Sequence, residues 1–117
     1  MESAPNCIFC KIVAGQAAAE ILYQDEWVTA FRDRHPIAPV HDLIVPNHHI
    51  ASVNEADGED EAVLGHLFSI ARQLAAREGV EVSGYRLVVN TGPNAGQSVF
   101  HVHMHLIGGR HLPFRFE

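Results

Sequence analysis

The amino-acid sequence predicts an α+β domain, an antiparallel sheet of about five strands with one long and one short helix. One long segment, from about Glu59 to Glu78, sets Val63, Leu67, Ile70 and Leu74 at helical spacing. Around it lie short apolar runs bounded by polar, glycine and proline turns, too short for helices. One of them, His101-Val102-His103-Met104-His105-Leu106-Ile107, alternates strictly between histidine and apolar residues, the period of a half-buried strand.

With 117 residues and 47% hydrophobic content the chain suffices for one core, placed at residues 7–117 behind a short tail, 1–6. No run reaches the length of a membrane span, and Met1-Glu2-Ser3-Ala4-Pro5-Asn6 lacks the layout of a signal peptide, so the expected location is cytoplasmic and off the membrane. A net charge of −6, from 8 basic and 14 acidic residues, disfavours polymeric nucleic acid, whose binding rests on many Lys and Arg contacts to phosphate. A small phosphate ligand is compatible with that charge, since backbone N–H groups and hydroxyls can hold it.

Taken in order, Cys7-Ile8-Phe9-Cys10 comes first. Two cysteines at this spacing can share a metal ion, form a redox pair or simply be two small buried residues. A redox pair expects a strand before the motif, and none precedes it. Zinc then needs two more ligands, with His48 or His49 and one of the downstream histidines as candidates. Ile8 to Ala14 reads as the short helix, ended near Gly15.

Ile21-Leu22-Tyr23 and Trp27-Val28-Thr29-Ala30-Phe31 read as a hairpin about Gln24-Asp25-Glu26. Asp33 to His41, with two prolines, reads as a loop, and Leu43-Ile44-Val45-Pro46 as a short apolar strand. Ser52-Val53-Asn54-Glu55 carries the capping-box pattern, soon broken by Asp57-Gly58. The long helix follows, acidic at its start, with Arg72 and Arg77 toward its end and Gly79 placed to stop it. His66 within it reads as surface or core lining, because no second ligand is spaced to share its face. Tyr85-Arg86-Leu87-Val88-Val89 is the next strand. The loop after it carries Asn90, Gln97 and Ser98, with Gly92 and Gly96 free to take positive φ.

On a strand, His101, His103 and His105 leave one polar face while Val102, Met104 and Leu106 hold the other on the core. A strand rises about 3.3 Å per residue, which separates the outer two by about 13 Å. Metal–nitrogen bonds are near 2.0–2.1 Å, so one ion cannot easily collect all three. The row therefore divides its labour.

These residues spell a family. The His-x-His-x-His-x-x string is similar to the signature of the histidine triad (HIT) proteins. Cys7-Ile8-Phe9-Cys10-Lys11-Ile12, Ala30-Phe31-Arg32-Asp33, Ala95-Gly96-Gln97-Ser98-Val99 and Gly108-Gly109-Arg110 resemble its Hint-like branch. The resemblance implies a HIT-like fold, a homodimer, and hydrolysis of purine (AMP-type) nucleoside phosphoramidates or related nucleotidyl conjugates through a nucleotidyl-histidine. It implies His103 as nucleophile, aided by His105, His101 and Ser98. It places Asn90, Gly96, Gln97, Ser98, His103 and His105 about the phosphate, Asp33 on the ribose, His41 nearby, and Ile8, Phe9, Ile12 and Phe31 about the base. Members with Cys-x-x-Cys imply a structural zinc on Cys7, Cys10, His49 and His101, and no organic cofactor.

Neutral imidazole suits the role, carrying a lone pair near pH 7 without a separate base. It still needs its other nitrogen protonated and aimed, and a carbonyl across the sheet would serve. Two departures stand out. Arg34-His35 replaces an apolar residue and a serine, and the tail Arg110 to Glu117 matches only loosely. Competing readings are a nucleotide-binding interaction protein with incidental hydrolysis, a diadenosine polyphosphate hydrolase, and a metal-dependent hydrolase using the histidine row.

Overall fold

The computed structural model describes residues 3–114. The chain runs α1 (Ile8–Val13), β1 (Ile21–Gln24), β2 (Val28–Arg32), β3 (Val40–Pro46), α2 (Glu61–Arg77), β4 (Tyr85–Val88) and β5 (Met104–Gly108). The five strands form one sheet in the order β1-β2-β3-β5-β4, with every neighbouring pair antiparallel. The α+β class and the approximate strand count hold. Residues 115–117, the end of the expected domain and tail, lie outside the described residues.

β3 is central and buried along its whole length, because a helix covers each face of the sheet there. On one face Val63, Leu67, Ile70, Ala71, Leu74 and Ala75 of α2 meet Val28, Ala30, Ile44, Met104 and Leu106. Burying a side chain the size of Leu67 or Ile70 contributes about 1.5–3 kcal/mol, so this face dominates stability. On the other face α1 lays Phe9, Cys10 and Ile12 on Phe31, Leu43 and Val45, a smaller cluster. That second face carries the site.

Three boundaries depart from expectation. The strand reading of 101–107 holds only from Met104, because Val102 N–H donates to Ile50 O at 2.7 Å and the stretch before β5 is tied to the segment after β3 instead of to a ladder partner. Its core face is as expected, with Val102, Met104 and Leu106 buried. The histidine face is not the exposed polar surface that alternation suggests: His101 and His103 are buried, the latter against Phe9 of α1. The loop expected to reach His41 ends earlier, since Val40 and His41 already pair with Gly108 and Ile107 of β5.

Ser52 caps only a 3-10 turn, Val53–Glu55, with its hydroxyl on Glu55. Asp57 then caps a second turn, Gly58–Asp60, which leads into α2 two residues later than expected. His66 of α2 pairs with Asp25 at 2.7 Å and packs edge-on against Trp27, a structural role. After β5 the chain turns at Gly109, φ +92°, where a Cβ would meet Pro39 at 2.9 Å, so only glycine fits.

Candidate active site and metal centre

α1 begins at a cysteine cap: Cys7 precedes the helix in extended conformation and its Sγ accepts from Cys10 N–H. This turn brings both thiols to His101 and His49. Cys7 Sγ lies 3.3 Å and Cys10 Sγ 3.5 Å from His101 Nδ1, Cys10 Sγ lies 3.4 Å from His49 Nδ1, and the two Nδ1 atoms are 3.2 Å apart. Of the two histidines weighed, His48 faces elsewhere, with Nε2 3.0 Å from Asp60.

The donor set fits a metal ion. Bonds of about 2.0–2.3 Å to a tetrahedral zinc give ligand-to-ligand edges of about 3.3 Å between nitrogens and about 3.5 Å between nitrogen and sulfur. The spacings found here match those edges. His101 Nε2 faces Pro46 O at 2.8 Å, which puts the ring proton on Nε2 and leaves the Nδ1 lone pair aimed at the thiols. Burial also lowers the His101 pKa to about 4, so the ring is neutral and able to ligate. Burial raises the Cys10 thiol above its ordinary value.

His103 comes next along the chain. Its Nδ1 donates to His101 O at 2.7 Å, so its Nε2 carries the free lone pair. The orienting carbonyl is thus two residues back on the same chain, not across the sheet, because residues 101–103 precede the ladder. Phe9 packs edge-on at 5.1 Å and holds the ring in place.

His105 belongs to a third group. Ile37 N–H donates to His41 Nδ1 at 3.2 Å, which puts the His41 proton on Nε2. That nitrogen lies 2.9 Å from His105 Nδ1 and 3.3 Å from Asp33 Oδ2. His105 therefore accepts on Nδ1 and presents Nε2–H. Burial, with the neighbouring His103 and His41 rings, lowers the His105 pKa to about 4, and burial lowers that of His41 against the pull of Asp33. Both rings are neutral at pH 7, so the direction of this chain of hydrogen bonds is fixed.

A cavity of about 500 Å³ opens over His103 and His105. Ile8, Phe9, Ile12 and Phe31 line it, as expected, together with Asp33 and Ser98. Leu43, Val99, Ala18 and Ala19 complete the apolar wall, and Glu20, Arg32, Arg34 and His35 the polar rim. Sequence reading missed the first four as wall residues. Leu43 was within reach of it, since it alternates with Ile44 and so must face α1 when Ile44 faces α2.

Not every expected residue reaches the cavity. His41 acts through Asp33 and His105. Asn90 follows β4, half-buried, outside the lining. Gln97 is buried and ties its own loop to the segment after β3, accepting from Gly92 N–H at 2.8 Å and donating to Ala51 O at 2.8 Å and Val99 O at 3.1 Å. Gly96 closes the same loop at φ +81°. Together they shape the backbone that presents Ser98.

An open pocket of small-ligand size lined by the His103 and His105 rings, beside a four-residue set that could hold a metal, is the arrangement of a histidine triad protein. The HIT domain model matches residues 14–112, and the chain belongs to that family. It is 48% identical over 109 residues, 93% of this chain and 92% of the other, to the purine nucleoside phosphoramidase of Escherichia coli K12, which sets it in the Hint-like branch. A HIT family hydrolase from Clostridium thermocellum superposes with a TM-score of 0.94 at 41% identity, over 98% of this chain and 100% of that one. A zinc-bound histidine triad family protein from Mycobacterium smegmatis superposes at 0.79 with 31% identity, over 90% and 76%. Among the described residues no helix is long and apolar enough to cross a membrane.

Proposed function

We propose that this chain, an enzyme of the histidine triad type, hydrolyses purine nucleoside phosphoramidates or related nucleotidyl conjugates at the α-phosphate through a nucleotidyl-His103 intermediate. The observation that carries the reading is the His103 ring: Nδ1 is committed to His101 O, and the side chain lines the cavity with Nε2 as the nitrogen left for attack. Similarity to the Escherichia coli phosphoramidase supports the substrate class.

The purine stacks among Ile8, Phe9, Ile12, Phe31 and Leu43, and Asp33 accepts from the ribose hydroxyls. His103 Nε2 forms a bond to phosphorus as the bond from phosphorus to the leaving nitrogen breaks. The Ser98 hydroxyl, exposed to solvent and on the cavity wall, gives that nitrogen a proton and regains one from water. His105 Nε2–H donates to a phosphoryl oxygen, whose charge is stabilised in place by a donor already oriented. Water then attacks phosphorus, the bond to His103 breaks, and a nucleoside monophosphate leaves.

The metal reading is that zinc occupies Cys7, Cys10, His49 and His101 in a structural role. When bound, the ion fixes the start of α1 against the segment before β5. We also propose a homodimer. The open side of edge strand β4, which among the described residues pairs only with β5, and the exposed Val89, Phe68 and Phe100 support it.

Turnover of an adenosine phosphoramidate by wild type and His103→Asn tests the function. The variant keeps its circular dichroism and loses at least about a thousandfold in kcat, as removal of a covalent nucleophile requires. Undiminished turnover by the folded variant contradicts the reading.

A further inference from the structure

The Gly108-Gly109-Arg110 turn after β5 lines no part of the cavity over His103, yet it is built onto the loop that does, between β2 and β3. Gly109 passes so close to Pro39 that a Cβ would meet it at 2.9 Å, and this sets Arg110 over the loop. Arg110 Nε and Nη2 both donate to Ile37 O, at 3.2 and 2.9 Å, and Nη1 donates to His111 O at 2.9 Å. The planar guanidinium is thus held on both sides, a geometry that an ammonium group cannot copy.

The loop has little else to hold its tip. Residues 34–37 are exposed, and Pro36 and Pro39 bring no N–H. Its neck is closed separately, by Asp33 N–H donating to His41 O at 2.9 Å. Ile37 lies at the far point and uses the peptide units on both sides of its Cα. Its carbonyl accepts from Arg110, and its N–H donates to His41 Nδ1 at 3.2 Å. Only the φ and ψ of Ile37 lie between the two bonds, so holding the carbonyl holds the N–H.

We propose that Arg110 is a positioning residue for His105, acting through Ile37 and His41 to keep that chain of hydrogen bonds directed at the cavity, a claim that rests on the role given above to the His105 N–H. A neutral imidazole carries one proton, and the partner of one nitrogen decides which nitrogen holds it. With Ile37 N–H on His41 Nδ1, the His41 proton sits on Nε2, faces His105 Nδ1 at 2.9 Å and leaves His105 Nε2–H for a phosphoryl oxygen. Without Arg110 the Ile37 N–H swings away, and His41 is free to carry its proton on Nδ1. Its Nε2 then accepts from His105 Nδ1–H, and His105 turns a lone pair to the phosphate in place of a proton. Neither ring gains or loses a proton; the chain reverses direction. The neck bond does not involve Arg110, so Asp33 keeps its place and substrate binding changes little.

The test compares full-length wild type, Arg110→Ala, His41→Ala and the double variant. It reads far-UV circular dichroism, the ring nitrogen shifts of His41 by long-range proton–nitrogen correlation, and kcat and KM on an adenosine phosphoramidate. In Arg110→Ala the two His41 nitrogen shifts, well apart in wild type, are expected to converge toward a tautomer mixture. Its kcat should fall about three- to tenfold, no further than His41→Ala takes it, with KM within about twofold. In the His41→Ala background, where the relay is already cut, the same substitution should cost nothing more. If Arg110→Ala fails to fold, Arg110→Met, which keeps the apolar stem and removes every donor, takes its place.

Unchanged His41 shifts, an unchanged kcat, or an equal loss in both backgrounds overturns the proposal, the last because it assigns Arg110 a general role in stability. If wild type is inert toward the phosphoramidate, the function above fails and the His41 shifts alone decide whether Arg110 sets the tautomer.

Discussion

Two histidine clusters flank His103, and each sets its donor atoms within 4.8 Å of one another: Cys7, Cys10, His49 and His101 on one side, Asp33, His41 and His105 on the other. By proximity alone both are metal sites. Their outer hydrogen bonds separate them. Pro46 O takes the Nε2 proton of His101 and leaves Nδ1 free toward the thiols, whereas Ile37 N–H occupies His41 Nδ1 and forces the proton onto Nε2, the atom facing His105 and Asp33. An ion in the second cluster would displace that proton and set a protonated Nδ1 against an N–H. The first cluster suits a metal, and the second is a directed hydrogen-bond chain. What surrounds a donor set, more than its spacing, decides its chemistry.

The comparison breaks first on kinetics. His105→Ala removes the last donor of the chain from the cavity and is expected to cost about 10²–10³-fold in kcat, the scale of losing one preorganised donor at a charged centre. His41→Ala leaves the His105 ring in place but frees its Nδ1, and a smaller loss, about tenfold, is expected from a lost second-shell partner. Equal and negligible effects in stopped assays would mean that the second cluster has no part in turnover.

Metal binding sharpens it next. Equilibrium dialysis against zinc should give one ion per chain. Cys10→Ser should weaken that binding about a hundredfold or more, as loss of a thiolate ligand does, while Asp33→Ala and His41→Ala leave it unchanged. A second ion that disappears with Asp33→Ala would erase the distinction.

A third buried polar group responds differently and more weakly. Asp42 of β3 lies fully buried on the α2 face, with Arg32 Nη1 3.4 Å from its Oδ1 and 2.8 Å from Glu78 Oε1. Asp42 Oδ2 and Glu78 Oε2 are buried without a hydrogen-bond partner among the described residues. Burial, and then the Glu78 carboxylate, raise the Asp42 pKa from 3.8 to about 8 in spite of Arg32. The folded chain therefore holds a proton that the unfolded chain releases between those values, so this residue makes stability fall as pH rises from about 4 to about 8. Asp42→Asn supplies an amide N–H toward Glu78 and should remove that slope. A gain of order 1 kcal/mol at pH 8 corresponds to roughly 4 °C in Tm, and thermal melts across pH check both. A slope that survives the substitution assigns it elsewhere.

Much of this was legible from residue patterns. Alternation placed Val102, Met104 and Leu106 in the core, and the reach of zinc bonds kept His101 and His105 from sharing an ion. The cysteine spacing left His48 or His49 and one of the downstream histidines open, and the family resemblance named Cys7, Cys10, His49 and His101, which the fold does bring together. What stayed hidden depends on partners remote in sequence. The Asp33–His41–His105 chain needs β3 to start at Val40, which cross-strand pairing decides and local composition, two prolines and a polar run, obscures. The tautomer of His41 is set by a loop N–H, and no side-chain pattern encodes a backbone donor. Gln97 reads as a ligand residue because its amide is polar; its partners are carbonyls and an N–H of the folded loop. Asp42 interrupts an apolar run and offers no hint of Glu78, brought to it by the far end of α2.

The central claim is that only the middle histidine bonds to phosphorus. Intact-mass spectrometry of the protein, quenched shortly after mixing with an adenosine phosphoramidate, tests it most directly. One adenylyl adduct per chain, absent from His103→Asn and present in His41→Ala, is the predicted result. An adduct that persists in His103→Asn, or a wild type that turns over without one, would contradict it.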